Sequence, residues 1–394
     1  MTLPSLAEAV AAGRERVVEL RRTLHAEPEL GFEEHRTTAT LLDDLLAAGL
    51  ERLPCPTPTG AVLALSGGRP GRTVLLRADI DALPLQEETP VAFRSRVDGR
   101  MHACGHDGHA AMLVGVAHAL RARQAELPGR YVLLFQPAEE MGGGARRMVE
   151  GGVLDGLGAD RMLSVHLVSL MPSGFVAARP GMAMAEANLF RLELRGEGGH
   201  AAVSGSRGNV LLAAAALAGR LAGVVAGMSY EDVPCSCSAG ALHAGTAPNV
   251  IPNRASIQGT LRTFTEPQRQ RALALLFAIC REASEEFAVR AECHVLLRVP
   301  AVVNDADVTG QVRTALVREL GGPKVLLPPP VAPSDDVSEL LARIPGCHLF
   351  VGAAPPGRYP PPAHHTADFD IDEGALEVGT RALASAAVDL ATPG

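Results

Sequence analysis

Residues 101–109 read MHACGHDGH and hold four side chains able to ligate a metal: His102, Cys104, His106 and His109. A lone histidine or cysteine is more often a core or surface residue. Three histidines and a cysteine within eight residues, just before an apolar helical pattern, are better explained by metal binding. Cys104 and His106 can both face one site if the segment is extended or tightly turned. The N-terminus of the following helix favours a thiolate at Cys104, and Asp107 falls where an N-cap is expected. A second group, Gln136-Pro137-Ala138-Glu139-Glu140, follows an apolar run and precedes glycines at 142 to 144. Adjacent glutamates are usually a solvated turn. Behind a buried strand, one can bind metal while the other handles protons. A hydrolytic metal site needs that division, because a divalent cation acidifies water and a nearby carboxylate takes its proton and returns it to the leaving group. His166 ends another short apolar run, and His364 and His365 follow a Pro-rich loop. Cysteine, histidine and carboxylate ligands suit Zn, Mn, Co or Ni.

The surrounding pattern predicts the elements that position these groups. The apolar runs 73–78, ending at Asp79 and Asp81, 131–136, and 162–165, leading into His166, read as strands. A helix is expected over 107–124, between the first two. Such alternation predicts an α/β domain with a mixed, largely parallel sheet, in which sites form beyond the carboxyl ends of strands. After Gly181 the pattern changes to a strand at 189–194, an Ala/Leu helix from about Asn209, a strand at 256–262 and a helix from Pro267 to about Phe287. From about Val299 the first pattern resumes, and the Pro-rich stretches 327–333 and 355–362 predict loops. The expected organisation is a catalytic α/β domain built from residues 1–181 and 297–394, with an α+β domain of residues 182–296 inserted into it.

Composition narrows the classes of function. A chain of 394 residues that is 47% hydrophobic can bury a large core, which excludes disorder as the main state. The net charge is −8, there is no block of Lys or Arg, and aromatic residues make up 3% with no Trp. This excludes the basic, aromatic-lined groove of a nucleic-acid binder. The most apolar stretch, 210–225, is interrupted by Arg220 before it reaches the roughly 20 residues of a membrane span. Residues 1–20 alternate charged and apolar groups and do not read as a signal peptide. Seven cysteines, an odd number with no export signal, predict a reducing, cytoplasmic setting rather than a disulfide framework. Six of them read as structural thiols, with Cys104 the exception.

Further motifs run along nearly the whole chain: RRTLHAEPELGFEEHRT (21–37), RADIDALP (77–84), FQPAEE (135–140), GEGGHAA (196–202), APNVIPNRASIQGTLRT (247–263) and HHTADFDID (364–372). With MHACGHDGH, they make the chain resemble the amidohydrolase group of metallopeptidases that contains hippurate hydrolase, bacterial N-acyl-L-amino-acid amidohydrolases and plant indole-3-acetyl-amino-acid hydrolases. The resemblance implies two divalent metal ions (Zn, Mn, Co or Ni) held by Cys104, His106, Glu140, His166 and a histidine near the C-terminus, with Cys104 as the bridge. That last ligand falls four residues before Phe369, which favours His365 over His364. Glu139 would be the general base and acid. The inserted domain would be a lid and the interface of a homodimer. Its His200 would stabilise the oxyanion, in its own or the neighbouring subunit's site, and Asn249 and Arg262 would face the substrate, Arg262 pairing with a carboxylate. Asp79, Asp81 and Asp107 would orient ligands. Two departures from the pattern are the Val203-Ser204 pair after Ala202 and the 334–337 motif, which reads SDDV where the family has S-E-D-F. The implied reaction splits the amide of a small N-acyl-L-amino acid into a carboxylic acid and a free amino acid. The runner-up is a metallo-carboxypeptidase or dipeptidase acting on short peptides. A non-catalytic binding protein of the same fold is disfavoured, because Glu139 and the ligands are all retained.

Overall fold

A computed structural model describes residues 4–203 and 207–393, so Ser204 lies outside the described residues. The chain forms two compact units. One takes the described residues up to Gly181, Val303–Pro328 and those from Asp336 on, and the other takes Met182–Val302 with Pro329–Asp335.

The first unit is built on an eight-stranded sheet in the order Glu51–Leu53, Ala61–Ser66, Pro128–Gln136, Arg69–Asp79, Arg161–Pro172, Gly346–Ala354, Val176–Ala177, Val325–Leu326. The four central strands of that order, Pro128–Gln136 to Gly346–Ala354, are mutually parallel. The neighbouring pairs on either side of this block are antiparallel. The sheet is therefore the mixed, largely parallel one expected. Its central strands are continuous buried runs such as Val74-Leu75-Leu76 and Val132-Leu133-Leu134, as strands covered on both faces must be. Helices His106–Ala122 and Gly374–Ala391 pack on this sheet and on each other. Nearly every side chain of His106–Ala122 is buried, which explains its Ala/Gly/Val composition. His166 lies within the long strand Arg161–Pro172 and not at a strand end. The ladder from Arg161–Pro172 to Arg69–Asp79 stops at Arg77↔Ser164, and two residues further along His166 and Asp79 are level.

The second unit is a four-stranded antiparallel sheet in the order Ser236–Ala244, Arg254–Thr263, Glu186–Arg195, Arg290–Val299. Phe190, Leu192 and Leu194 point into its core with Ile257 and Leu261, where they meet helices Val210–Arg220 and Glu266–Phe287. Asn209 caps the first helix by accepting from the Leu211 and Leu212 N–H groups. Thr265 and Gln268 form a reciprocal capping box on the second. The sequence pattern foresaw two of these strands and both helices. The two edge strands, Ser236–Ala244 and Arg290–Val299, are additions. Among the described residues no helix is long and apolar enough to cross a membrane. All seven cysteines are free.

Candidate metal centre

The site lies in the first unit, where two parallel strands end at Asp79 and Gln136 and a third passes through His166. Gly105 has φ +88, a left-handed turn open to glycine at little cost. This turn separates Cys104 from His106, the first residue of the helix His106–Ala122, and lets both face the same space. Cys104 Sγ is 3.5 Å from His166 Nε2. His106 Nε2 is 3.8 Å from Glu140 Oε1, and His365 Nε2 is 3.2 Å from that same oxygen. Three overlapping triads therefore share one centre: Cys104, His106 and His166; Cys104, Glu140 and His365; His106, Glu139 and Glu140.

The outward-facing atoms of these side chains are held in place from behind. Asp81 accepts from His106 Nδ1 at 3.2 Å, which directs Nε2 into the centre. The other Asp81 oxygen accepts the Glu140 N–H at 3.0 Å. His166 Nδ1 donates to the Leu167 carbonyl at 2.6 Å, which likewise leaves Nε2 for the centre. A histidine whose second nitrogen is fixed by a carboxylate or carbonyl is the usual form of a metal ligand. Asp79 accepts from His109 at 2.6 Å and Arg77 at 2.8 Å. It is fully buried, yet His106, Arg77 and His109 outweigh that burial and hold its carboxyl well below the usual range.

The donor set fits a cation. His106 Nε2 is a buried polar atom without a hydrogen-bond partner, and Glu140 Oε1 is approached by the ring nitrogens of His106 and His365; both face the centre. Burial, then the charges of Glu140, Glu139 and Asp79, push the Cys104 thiol well above its ordinary value. This corrects the expectation that the adjacent helix N-terminus favours a thiolate: burial, then three carboxylates, push the other way. A thiolate at Cys104 needs a cation against the sulfur, as thiolate ligands do.

The remaining candidates divide. His364 faces Cys104 with Nδ1 at 3.7 Å, but its Nε2 accepts the Ser169 N–H at 3.2 Å. His365 adopts φ +63, a strained conformation for a side-chain-bearing residue, and completes the triad with Cys104 and Glu140. His109 has both nitrogens committed, to Asp79 and to the Leu167 N–H at 2.8 Å. His102 is buried with neither ring nitrogen hydrogen-bonded, and burial lowers it to about 4. Asp107 is not the N-cap; that position is Gly105, and no side chain caps there. Asp107 is instead buried in the first turn, accepting from Arg21 at 3.1 Å and His25 at 2.8 Å. Sequence reasoning missed this partnership because Arg21 and His25 lie some eighty residues upstream. It also missed Asp336 of the SDDV motif, which accepts from Gln136 Nε2 at 2.6 Å and the Ala145 N–H at 2.9 Å beneath the glutamate loop.

In the second unit, Gly199–His200 pairs with Val250–Ile251, and the Ala201 N–H donates to the Asn249 carbonyl at 3.1 Å. His200 and Asn249 are thus neighbours on one exposed ladder. Arg262 lies apart from them, opposite Ser236 and Ala187 in the larger sheet. It donates to the Ala332 carbonyl at 3.3 Å and Ser334 Oγ at 3.1 Å.

A cysteine, histidines and carboxylates converging beyond parallel strands, with a further carboxylate beside them, define the class of metal-dependent hydrolases. The chain belongs to the peptidase family M20/M25/M40, whose model matches residues 75–389. It is 35% identical to thermostable carboxypeptidase 1 of Saccharolobus solfataricus, over 94% of each chain. It is 39% identical to the N-acyl-L-amino acid amidohydrolase of Geobacillus stearothermophilus, over 68% of this chain and 73% of that one. Among solved structures, a dinuclear metal binding peptidase of Bacillus subtilis from the M20 family superposes with a TM-score of 0.80 at 32% identity, covering 96% of this chain and 98% of that one.

Proposed function

We propose that this protein hydrolyses the amide bond of N-acyl-L-amino acids, with Cys104, His106, Glu140, His166 and His365 holding two divalent metal ions and Glu139 moving the proton. The observation that carries the reading is the convergence of those five donors on one centre, with Cys104 and His106 buried, His365 at its exposed side and Glu139 alongside, in a member of the M20 family. Bound there, the ions supply Lewis acidity toward the substrate carbonyl and toward water. Zn, Mn, Co and Ni all suit the donor set. Glu139 takes a proton as the water oxygen forms its bond to the acyl carbon. It returns that proton to the amine nitrogen as the C–N bond breaks, giving a carboxylic acid and a free amino acid. His200 donates a hydrogen bond to the tetrahedral oxyanion, and Asn249 and Arg262 bind the substrate, Arg262 through its carboxylate. Asp79, Asp81 and Asp107 orient the metal-facing side chains.

The inserted region acts as a lid and as the interface of a homodimer. The exposed Leu211 and Leu212 on helix Val210–Arg220 and the edge strand Ser236–Ala244 support this. The seven free cysteines support a cytoplasmic setting. A second reading, cleavage of short peptides from the carboxyl end, is favoured by the likeness to thermostable carboxypeptidase 1. A single panel decides between them: N-acetyl, N-benzoyl and longer N-acyl amino acids beside dipeptides, each assayed on chelator-treated protein reloaded with Zn, Mn, Co or Ni. Release of amino acid chiefly from the N-acyl compounds is expected. Preference for the dipeptides establishes the second reading, and no release from any substrate with any metal removes both. Light scattering tests the dimer, and a monomeric mass refutes it.

A further inference from the structure

The N-terminal motif 21–37 reaches the site with its first half through Arg21 and His25, which hold Asp107. Its second half lies directly against the glutamate loop. Leu30 bridges Ala82, and the Ala82 N–H donates to the Glu29 carbonyl at 2.8 Å, which fixes the motif beside Asp81. Gly31 touches Ala138 so closely that a Cβ at position 31 would sit 2.9 Å from the Ala138 Cβ. Glu34 follows, fully buried. One of its oxygens accepts from Thr59 Oγ1 at 2.6 Å and the other accepts the Ala138 N–H at 2.9 Å. Ala138 is itself buried and has φ +55, a left-handed conformation that alanine keeps only where its surroundings hold it. Two residues on, Asp81 accepts the Glu140 N–H. Glu139 thus sits between two peptide groups, each anchored to a buried carboxylate from elsewhere in the chain.

We infer that Glu34 is the positioning residue for Glu139: by accepting the Ala138 N–H it holds the left-handed turn that directs the Glu139 side chain toward His106 and Glu140. The inference rests on the reading of Glu139 as the proton-transferring group. Glu34 itself sits behind the loop, bonded to Thr59 and Ala138. Its task needs an acceptor toward Ala138 and any polar atom toward Thr59, whose hydroxyl can donate or accept. A glutamine meets both needs and an alanine neither. Without the acceptor, a buried N–H is left unpaired. Ala138 then relaxes toward ordinary backbone angles and carries Glu139 out of line.

The test compares Glu34→Ala, Glu34→Gln and Glu139→Gln as Mn- or Zn-loaded full-length protein, measuring kcat, KM and metal per chain. A displacement of about 1 Å at a reacting group costs on the order of 100-fold in rate, so Glu34→Ala is expected to lose roughly 10- to 100-fold in kcat. Its KM and metal content should stay at the parent values, and Glu34→Gln should return most of the kcat. The inference is overturned if Glu34→Ala keeps the parent kcat, if Glu34→Gln is as impaired as Glu34→Ala, or if Glu34→Ala loses metal. Metal loss would put the effect on Glu140 instead. Should Glu34→Ala not fold, Glu34→Asp takes its place. Its carboxylate is one methylene short of Ala138, and a kcat equal to that of Glu34→Gln overturns the inference. Glu139→Gln separates the two readings. If it turns over at the parent rate, the proton-transfer role falls and the positioning role with it. If it is inactive while Glu34→Ala is not, only the positioning role falls.

Discussion

At the scale of single residues, the site divides into side chains with an atom left over and side chains with none. His106, His166 and Glu140 each spend one polar group on the scaffold and present another to the centre. His109 spends both. This separates ligand from brace where four adjacent candidates look alike in the sequence. With Glu139 as the proposed proton acceptor, replacing it by Gln removes that group but none of the five proposed metal ligands, so turnover should fall by about 100- to 10,000-fold with metal stoichiometry unchanged. Elemental analysis beside the hydrolysis assay checks both halves. Cys104→Ala should lower metal per chain, and His365→Ala should lower it more than His364→Ala, whose Nε2 is already taken by the Ser169 N–H. Equal losses at 364 and 365 would reject the preference. Much of this was legible in the sequence, because Cys104-Gly105-His106 and Glu139-Glu140 bring their own spacing with them. The carboxylates behind them were only partly legible. Asp79 and Asp81 stand at the strand end that the apolar run marks, whereas Glu34, Arg21 and His25 of the 21–37 motif and Asp336 of the SDDV motif act through long-range contacts that a motif's own spacing does not reveal.

At the scale of elements, helix His106–Ala122 carries the proposed ligand His106 in its first turn, so whatever fixes that turn fixes that side chain. Asp107 does so with Arg21 and His25 from helix Arg14–Ala26. His25 donates to Asp107 through one nitrogen and to Glu87, 3.1 Å away, through the other. Burial works against its charge, but Asp107 and then Glu87 outweigh burial and raise His25 to about 9. A raised folded value means that this charge stabilises fully below the ordinary histidine range near 6.5, and the contribution is lost as pH climbs toward 9. The midpoint of urea unfolding should therefore fall between pH 6.5 and 9, and His25→Gln should flatten that slope while lowering stability at pH 6. A slope as steep in the variant would assign it to other groups. In the second unit, Thr265→Ala removes one side of a capping box and should cost about 1 kcal/mol. Helix Gly374–Ala391 and the buried strands Ala61–Ser66 and Gly346–Ala354 were not singled out in the sequence, whereas helices His106–Ala122, Val210–Arg220 and Glu266–Phe287 and the five expected strands followed from its pattern. The strands Ser236–Ala244 and Arg290–Val299 did not. The first reads SCSAGALHA, poor in β-branched residues, and both are edge strands with much of their surface exposed.

At the scale of the whole molecule, the proposed ligands come from four separate segments, between Cys104 and His365. A cation bound to all of them binds the folded chain and not the unfolded one, so it adds to stability by mass action. Treatment with a chelator should lower the melting temperature, and restoring Mn or Zn should raise it in proportion to the logarithm of free metal. A melting temperature indifferent to chelation would argue against ligands drawn from distant segments. The same connectivity governs how the protein is made. The strand Gly346–Ala354 slots between Arg161–Pro172 and Val176–Ala177, so the central sheet stays open along one edge until the ribosome has passed residue 354. Met182–Val302 has been translated by then. The inserted unit can therefore fold first, while the half-built sheet waits with the bare edge of Arg161–Pro172, a surface that invites pairing with other nascent chains. Because His365 is translated later still, the proposed set of metal ligands is complete only after the strand that closes that edge has been made.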